Sequence, residues 1–299
     1  MDLTTFLVQC LNSVQYGLLL FLVASGLTLI FGIMGVINLA HGSFYMVGAY
    51  LAYALVSLAG LPFLAMLVLG ALLAFAFGYV LEWAFFSYLY QRDHLQQVLM
   101  TYALILVFEE CRSLLLGNDV HGVQAPAWLA GSIQLGELMS YPTYRLFASA
   151  ACIAVAAALY VVVNRTRLGM MIRAGASNRD MVRGLGINIR NLYRVVFAAG
   201  VALAALAGMI AAPLSSVYPN MGASVLIVCF VVVVIGGIGS ITGALVASLL
   251  VGFVDTFGKV AELEILGFRV LPELSGIGIY LLMAVVLVWK PEGLGRRGA

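Results

Sequence analysis

Residues 3–81 contain no aspartate, glutamate, lysine or arginine. No soluble domain is built from a run like that, because its elements must turn a polar face to water. Three more charge-free runs cover 146–164, 195–254 and 274–289. A membrane-crossing helix needs roughly 20 apolar residues at 1.5 Å each. The first run therefore holds about three crossings, and 195–254 holds two or three. A transmembrane barrel would alternate apolar and polar residues in segments of about ten, and Val231-Val232-Val233-Val234-Ile235 does not alternate. The composition agrees: 64% of the 299 residues are hydrophobic and 9% charged, against about 45–50% and about 25% in soluble domains.

The chain is thus read as all-α, a polytopic helical membrane protein with eight or nine transmembrane helices, some broken or re-entrant. Glycine, proline, asparagine and charge divide it into helices at 12–33, 37–58, 62–89, 95–116, 144–163, 195–214, 222–237, 241–258 and 273–289. Residues 222–258 make either two crossings or one crossing and a re-entrant segment. The start of the chain lacks the basic stretch of a signal peptide, so the first apolar segment is expected to stay in the mature protein.

Basic residues in short loops mark the cytoplasmic side. Seven of the fifteen lie between Arg165 and Arg194, and Lys290, Arg296 and Arg297 follow the last apolar run. The loop at 164–194 and the C-terminus are accordingly expected in the cytoplasm. The loop at 117–143 and the acidic residues Asp255, Glu262, Glu264 and Glu273 fall on the other side. Nine spans put the N-terminus outside, eight put it inside. Within the basic loop, 170–183 has helix-forming composition and Gly184-Leu185-Gly186-Ile187-Asn188 supplies a stop. A helix lying along the inner face of the membrane follows, either a topology-fixing basic loop or a docking element.

Several chemistries are not supported. The two lysines, Lys259 and Lys290, are followed by Val260 and Pro291, so neither fits a phosphate-binding G-x-x-x-x-G-K-[ST] loop. The three histidines, His41, His94 and His121, form no catalytic or metal-binding spacing. Cys10, Cys111, Cys152 and Cys229 are read as buried, inert thiols. A net charge of +2 gives no reason to invoke nucleic acid. Glu109/Arg112 and Asp255/Lys259 have the spacing of intrahelical ion pairs. Glu82, within a long apolar stretch, is read as a structural group near Arg92 at the cytoplasmic interface, with a functional role inside the membrane as the alternative.

Residues 26–50, GLTLIFGIMGVINLAHGSFYMVGAY, resemble the N-terminal signature of bacterial branched-chain amino acid ABC permeases, more narrowly the LivH-type subunit. Residues 235–244, IGGIGSITGA, resemble the second signature of that family. Arg173-Ala174-Gly175-Ala176, followed by Leu185-Gly186-Ile187-Asn188, is similar to the loop with which such permeases engage their ATPases, with Arg-Ala-Gly-Ala standing where other ABC importers have Glu-Ala-Ala. Lys290-Pro291-Glu292-Gly293-Leu294 matches the usual ending.

The resemblance implies one permease domain over 1–299 with an ATPase-coupling loop at about 164–194. It implies two ATPase subunits, a second related permease of LivM type or a second copy of this chain, and a periplasmic binding protein. The chain itself would bind no cofactor, ATP and Mg being held by the ATPases, and would perform no catalysis. The location would be the bacterial inner membrane. Leucine, isoleucine and valine are the leading substrates; related permeases carry urea, short amides or other amino acids. A secondary transporter working without an ATPase would more often carry intramembrane charges for ion coupling.

Gly-interrupted helices in corresponding parts of a transporter point to its path. Asn38, His41, Ser43, Tyr45, Gly236, Gly237 and Gly239 are the candidates for lining it. The alternative is that Asn38 and Ser43 cap helices and the glycines allow close packing, and for the glycines packing is the preferred reading. His41 also raises proton coupling. Arg173, Ala174, Gly175, Arg179, Arg183 and Gly186 are the candidates for ATPase coupling. The loop at 117–143 is read as a connection, with binding-protein contact as the alternative.

Overall fold

The structure is a computed structural model that describes residues 3–90, 92–134, 140–260, 263–265, 268–270 and 275–295. Arg296, Arg297, Glu262 and Glu273, on which part of the topology reading rests, lie outside the described residues.

All nine expected helices occur: α1 (Leu3–Met34), α2 (His41–Tyr53), α3 (Phe63–Ala84), α4 (His94–Leu116), α5 (Thr143–Arg165), α8 (Ile189–Ala211), α9 (Met221–Gly236), α10 (Ile241–Val260) and α11 (Ser275–Trp289). Between α5 and α8 lie α6 (Arg167–Ser177) and α7 (Arg179–Gly184). Two small antiparallel pairs complete the elements, β1 (Ser132–Gln134) with β2 (Ser140–Pro142) and β3 (Leu263–Ile265) with β4 (Phe268–Val270).

Helix α1 is the axis of the bundle. Its 32 residues make a rod about 48 Å long at 1.5 Å per residue, and from Gly17 to Ile30 it is buried on every side. The few hydroxyls there cost little, because each can bond back along its own helix: Ser13 Oγ donates to Cys10 O and Ser25 Oγ to Leu22 O. Helices α5, α8, α9 and α10 pack around it, α2 fits against α8 and α9, α3 covers α8, and α11 covers α10.

The inner face of α3 shows how sequence sets such contacts. Met66, Gly70, Ala74, Gly78 and Glu82 recur every fourth residue and are all buried, a small-residue stripe that lets two helix backbones approach. Its other face carries exposed Leu64, Val68 and Leu72, a surface stable in lipid but not in water.

One end of the bundle carries α6 and α7. There α1, α3, α5, α9 and α11 finish and α8 and α10 begin, as contacts Gly32–Gly239, Glu82–Arg194 and Gly237–Glu292 show. We call it the basic end. Helix α10 runs antiparallel to α1, from Ile241 beside the last turns of α1 to Phe257 against Phe6 at the opposite end.

Three expectations are corrected, and one is met in length. The helix expected over 37–58 is shorter: 35–40 are not helical, α2 starts at His41, and it closes in a π-helical turn at Ala54–Leu58. The positive φ of Gly35, 66°, stops α1. Helix α9 has 16 residues, about 24 Å, and its first turn sits on the first turn of α2 through Gly222 and Gly42. The single helix expected over 170–183 is two, because the Asn178 side chain caps α7 by accepting from Met181 N (3.0 Å). Of the cysteines, Cys152 and Cys229 are buried, but Cys111 is exposed and Cys10 half-buried.

Candidate functional site

The chain between α1 and α2 climbs back along α1 into the interior. Asn38 Oδ1 accepts from Ala40 N (3.0 Å) and fixes the turn. Asn38 and His41 have no exposed surface, and Ser43 has 5%. The His41 Nε2 lies 2.9 Å from Val23 O; a carbonyl only accepts, so Nε2 carries the proton and Nδ1 keeps a lone pair. Asn38 Nδ2 and His41 Nδ1 find no partner among the described residues. Non-helical backbone at this depth is tolerated only where protein or a cavity surrounds it. Here the protein does so: Phe44 meets the His41 ring edge-on at 5.9 Å, and Gly26 brings α1 against Gly200 of α8.

The second glycine-rich segment is a tight turn between α9 and α10. Gly237 and Gly239 hold φ values of 86° and 82°, which a side chain would disfavour. The chain after α11 docks on it, Leu294 N donating to Ile235 O and Gly295 N to Gly236 O, both at 2.9 Å. Gly239 touches Gly32, so the two glycine-rich blocks meet at the basic end.

The candidate path residues are therefore not gathered in one place. Gly239 lines a cavity of about 440 Å³ with Gly32, Thr28, Ser240 and Arg173. Gly237 lines a neighbouring one of about 350 Å³, and Tyr45 lines a third at the opposite end. Asn38, His41, Ser43 and Gly236 line none of these. What the geometry gives for Gly236 is contact with Gly243 and Ala244.

The candidate coupling residues lie together on α6, α7 and the turn after them. Gly175 is buried against Leu192 of α8 and Ile33 of α1, while Ala174 is exposed. Arg173 donates to Val163 O at the end of α5. Arg179 lies over the Tyr193 ring (6.0 Å) and reaches Gly35. Gly186, with φ 82°, turns the chain from α7 into α8. Any push on α6 would meet the ends of α1, α5 and α8 at once.

Beside α7 opens a cavity of about 800 Å³ walled by Arg92, Arg179, Arg183, Arg190 and Arg194. Its carboxylate is Glu82, 1% exposed. The pairing differs from the expectation: Glu82 binds Arg194 Nε (3.2 Å) and accepts from the Tyr90 hydroxyl (2.6 Å), while Arg92 only shares the cavity. Burial first, and then the Glu82 carboxylate, push the Tyr90 phenol well above its ordinary range, so it remains a donor.

The expected pair Glu109–Arg112 is present at 3.0 Å and does more than span one turn. Arg112 also donates to Gly117 O and Asn118, and Glu109 accepts from Asn220 N, tying α4 to the segment before α9. Asp255–Lys259 is present at 2.5 Å. Sequence reading took it as a helix-end pair and missed its neighbours. It lies on the cavity that Tyr45 lines, about 400 Å³ in volume, together with Asn12, Gln15 and Arg145. The signal available was Asn12 and Gln15 within a run otherwise free of charge.

The family model described as "Branched-chain amino acid transport system / permease component" matches residues 9–287. The chain is 30% identical over 307 residues to the high-affinity branched-chain amino acid transport system permease protein BraD of Pseudomonas aeruginosa, covering 97% of this chain and 96% of that one. It is 28% identical over 305 residues to LivH of Escherichia coli, with 97% and 96% covered. A probable LivH of Methanocaldococcus jannaschii is 25% identical over 295 residues, with 95% and 90% covered.

Proposed function

The chain belongs to the family of branched-chain amino acid transport system permease components, and from that premise we propose that it is the membrane subunit of an ATP-driven importer. It passes leucine, isoleucine and valine, delivered by a periplasmic binding protein, across the inner membrane. Two ATPase subunits dock on α6 and α7 and hold the ATP and Mg; a second permease, LivM-type or another copy, completes the membrane unit. The basic end then faces the cytoplasm, by the excess of arginine there, and the chain's last residues lie on that side. The relatives are transport permeases, and this chain likewise acts without catalysis of its own.

The observation that carries this reading is the placement of α6. It is a short helix outside the bundle, capped by Thr166 through Gly169 N (3.2 Å), and seated on the ends of α1 and α8 beside the Gly32–Gly239 contact. A force applied to it reaches the axis helix and the turn between α9 and α10. Intramembrane charge, which a carrier driven by an ion gradient would use, is here satisfied internally in Glu82–Arg194.

The test is purification of the tagged chain from its native membranes in mild detergent, with mass spectrometry of what accompanies it. Stoichiometric P-loop ATPases and a second permease are expected, and the complex in proteoliposomes should accumulate labelled leucine on ATP addition. Clean recovery without any ATPase, repeated under cross-linking, would overturn the importer reading. Accumulation of urea or short amides but not leucine would overturn the substrate.

A further inference from the structure

The cavity at the end opposite α6 has features that neither the family nor the path reading uses. It opens between α1, α5, α8, α9 and α10, with the side chain of Tyr45 of α2 also on its wall. Its volume, about 400 Å³, lies in the range of small-ligand sites, roughly 300–1,000 Å³. Both signs of charge stand on its wall.

Each charged group there has spare capacity. Arg145 donates Nη1 to Asn12 Oδ1 (2.5 Å) and lies beside the Tyr141 hydroxyl, which leaves part of its five-donor guanidinium for a further acceptor. Asp255, 7% exposed, accepts from Lys259 at Oδ2, and its Oδ1 has no hydrogen bond among the described residues. Gln15, 6% exposed, lines the same space. A carboxamide and two ions of opposite sign on one wall offer a polar ligand donors and acceptors at once. Leu19, Leu20, Val23 and Val225 are among its apolar lining.

We propose that this cavity is a binding station for a zwitterionic α-amino acid with an apolar side chain: Arg145 receives the carboxylate, Asp255 the ammonium, and Leu19, Leu20 and Val23 the aliphatic side chain. The inference rests on the proposed function and specifies the chemistry of its path. Lys259 must yield its place on Asp255 to the ligand. Its side chain is 59% exposed, and so exposed an ion pair is cheap to open. Arg145 can take a carboxylate with its second nitrogen pair while holding Asn12, since guanidinium offers five donors. A ligand with one charge leaves either Arg145 or Asp255 unmatched, and that asymmetry is the basis of selection.

The experiment uses the full chain with its co-purified partners in lipid nanodiscs, without binding protein. Binding of labelled leucine is measured in competition with 3-methylbutylamine, which lacks the carboxylate, and 4-methyl-2-oxopentanoate, which lacks the ammonium. Leucine is expected to saturate one site and to bind at least about tenfold tighter than either analogue. Asp255→Asn should weaken leucine about tenfold while leaving the oxoacid unchanged, and Arg145→Gln should weaken leucine and the oxoacid while sparing the amine. Val225→Trp, which fills the apolar wall and touches neither ion, should abolish binding of all three with the complex still assembled. Equal binding of leucine and both analogues, or leucine binding unchanged in the variants, overturns the proposal. ATP-driven leucine uptake by the same wild-type complex separates the two readings. Uptake with no binding in this cavity removes the station alone; no uptake of leucine removes the importer substrate and the station with it.

Discussion

The two ends of the bundle each hold a polar cavity, and the two are built on different plans. At the basic end, five arginines share a wall with one carboxylate, Glu82. At the opposite end Arg145 and Lys259 stand with Asp255. A wall of one sign attracts partners of the other sign over distance and fades with salt. A wall of mixed sign has little reach, and selects by matching two charges at once. Partner docking suits the first and recognition of a small zwitterion the second. Between them the bundle is closed by α2 against α8, where Phe44 contacts Phe197 and His41 is held to Val23.

The contrast depends on that closure, so the largest effect should come from breaking it. A Cβ on Gly208 would overlap the carbonyl oxygen of Tyr45 in α2, backbone against backbone. Gly208→Val is therefore expected to abolish recovery of monodisperse protein in size-exclusion chromatography. Gly184→Ala, where nothing lies within 4 Å, should leave recovery and melting temperature unchanged.

Next in size is the lone carboxylate of the basic cavity. Glu82→Ala leaves Arg194 and the Tyr90 hydroxyl without their acceptor. Breaking a buried pair costs about 3–5 kcal/mol; with a quarter of the Arg194 side chain exposed, the lower figure is expected. Thermal unfolding of the purified complex reads it, and an unchanged melting temperature would show that Glu82 does not anchor the arginine wall.

A third difference separates the two cavities by salt. Raising ionic strength from about 0.01 to 0.15 M shortens the screening length from about 30 to 8 Å. ATPase association at the basic end should weaken about tenfold in a pull-down titration. Leucine binding at the other end, where the ligand carries no net charge, should change by less than about twofold. Parallel weakening of both would erase the distinction between the two walls.

How much of this was legible in the sequence follows from which signals are local. Charge-free runs report crossings directly, because each residue in lipid bears the same constraint, and glycine, proline, asparagine and charge divided the apolar mass into nine helices. The tight turn at 236–240 and the break near Asn38 were visible as glycine and asparagine interrupting apolar helix. Register and depth were not. Nothing local says that Gly222 sits on Gly42, although the 16-residue length of α9 was readable. Ion pairs at i,i+3 or i,i+4 were readable, but Glu82–Arg194 spans 112 positions and depends on how α3 lies on α8. The same holds for the cavity of Asn12, Arg145 and Asp255, which three distant helices bring together. Sequence reading grouped Asn38, His41, Ser43 and Tyr45 because they sit at a broken helix, and of these Tyr45 lines the cavity at the far end.

The smallest expected effect tests how stiffly the basic end transmits motion. Asn178 is the hinge between α6 and α7: its backbone is extended (φ −151°, ψ 102°), and its side chain caps α7 through Met181 N. A helix of six residues has almost no stability of its own, so the cap carries much of it. Asn178→Ala removes that acceptor at a cost of about 1 kcal/mol, spread over the turn that carries Arg179 and Arg183. Amide exchange in α7 should speed up about fivefold, as that energy implies, while α6, capped separately by Thr166, keeps its rate. ATP-driven uptake should fall by a comparable factor with leucine binding at the far cavity untouched. If uptake falls and α7 exchange does not change, Asn178 acts by contact with a partner rather than by holding the helix. If exchange rises and uptake does not fall, α7 is a connector and α6 alone bears the load.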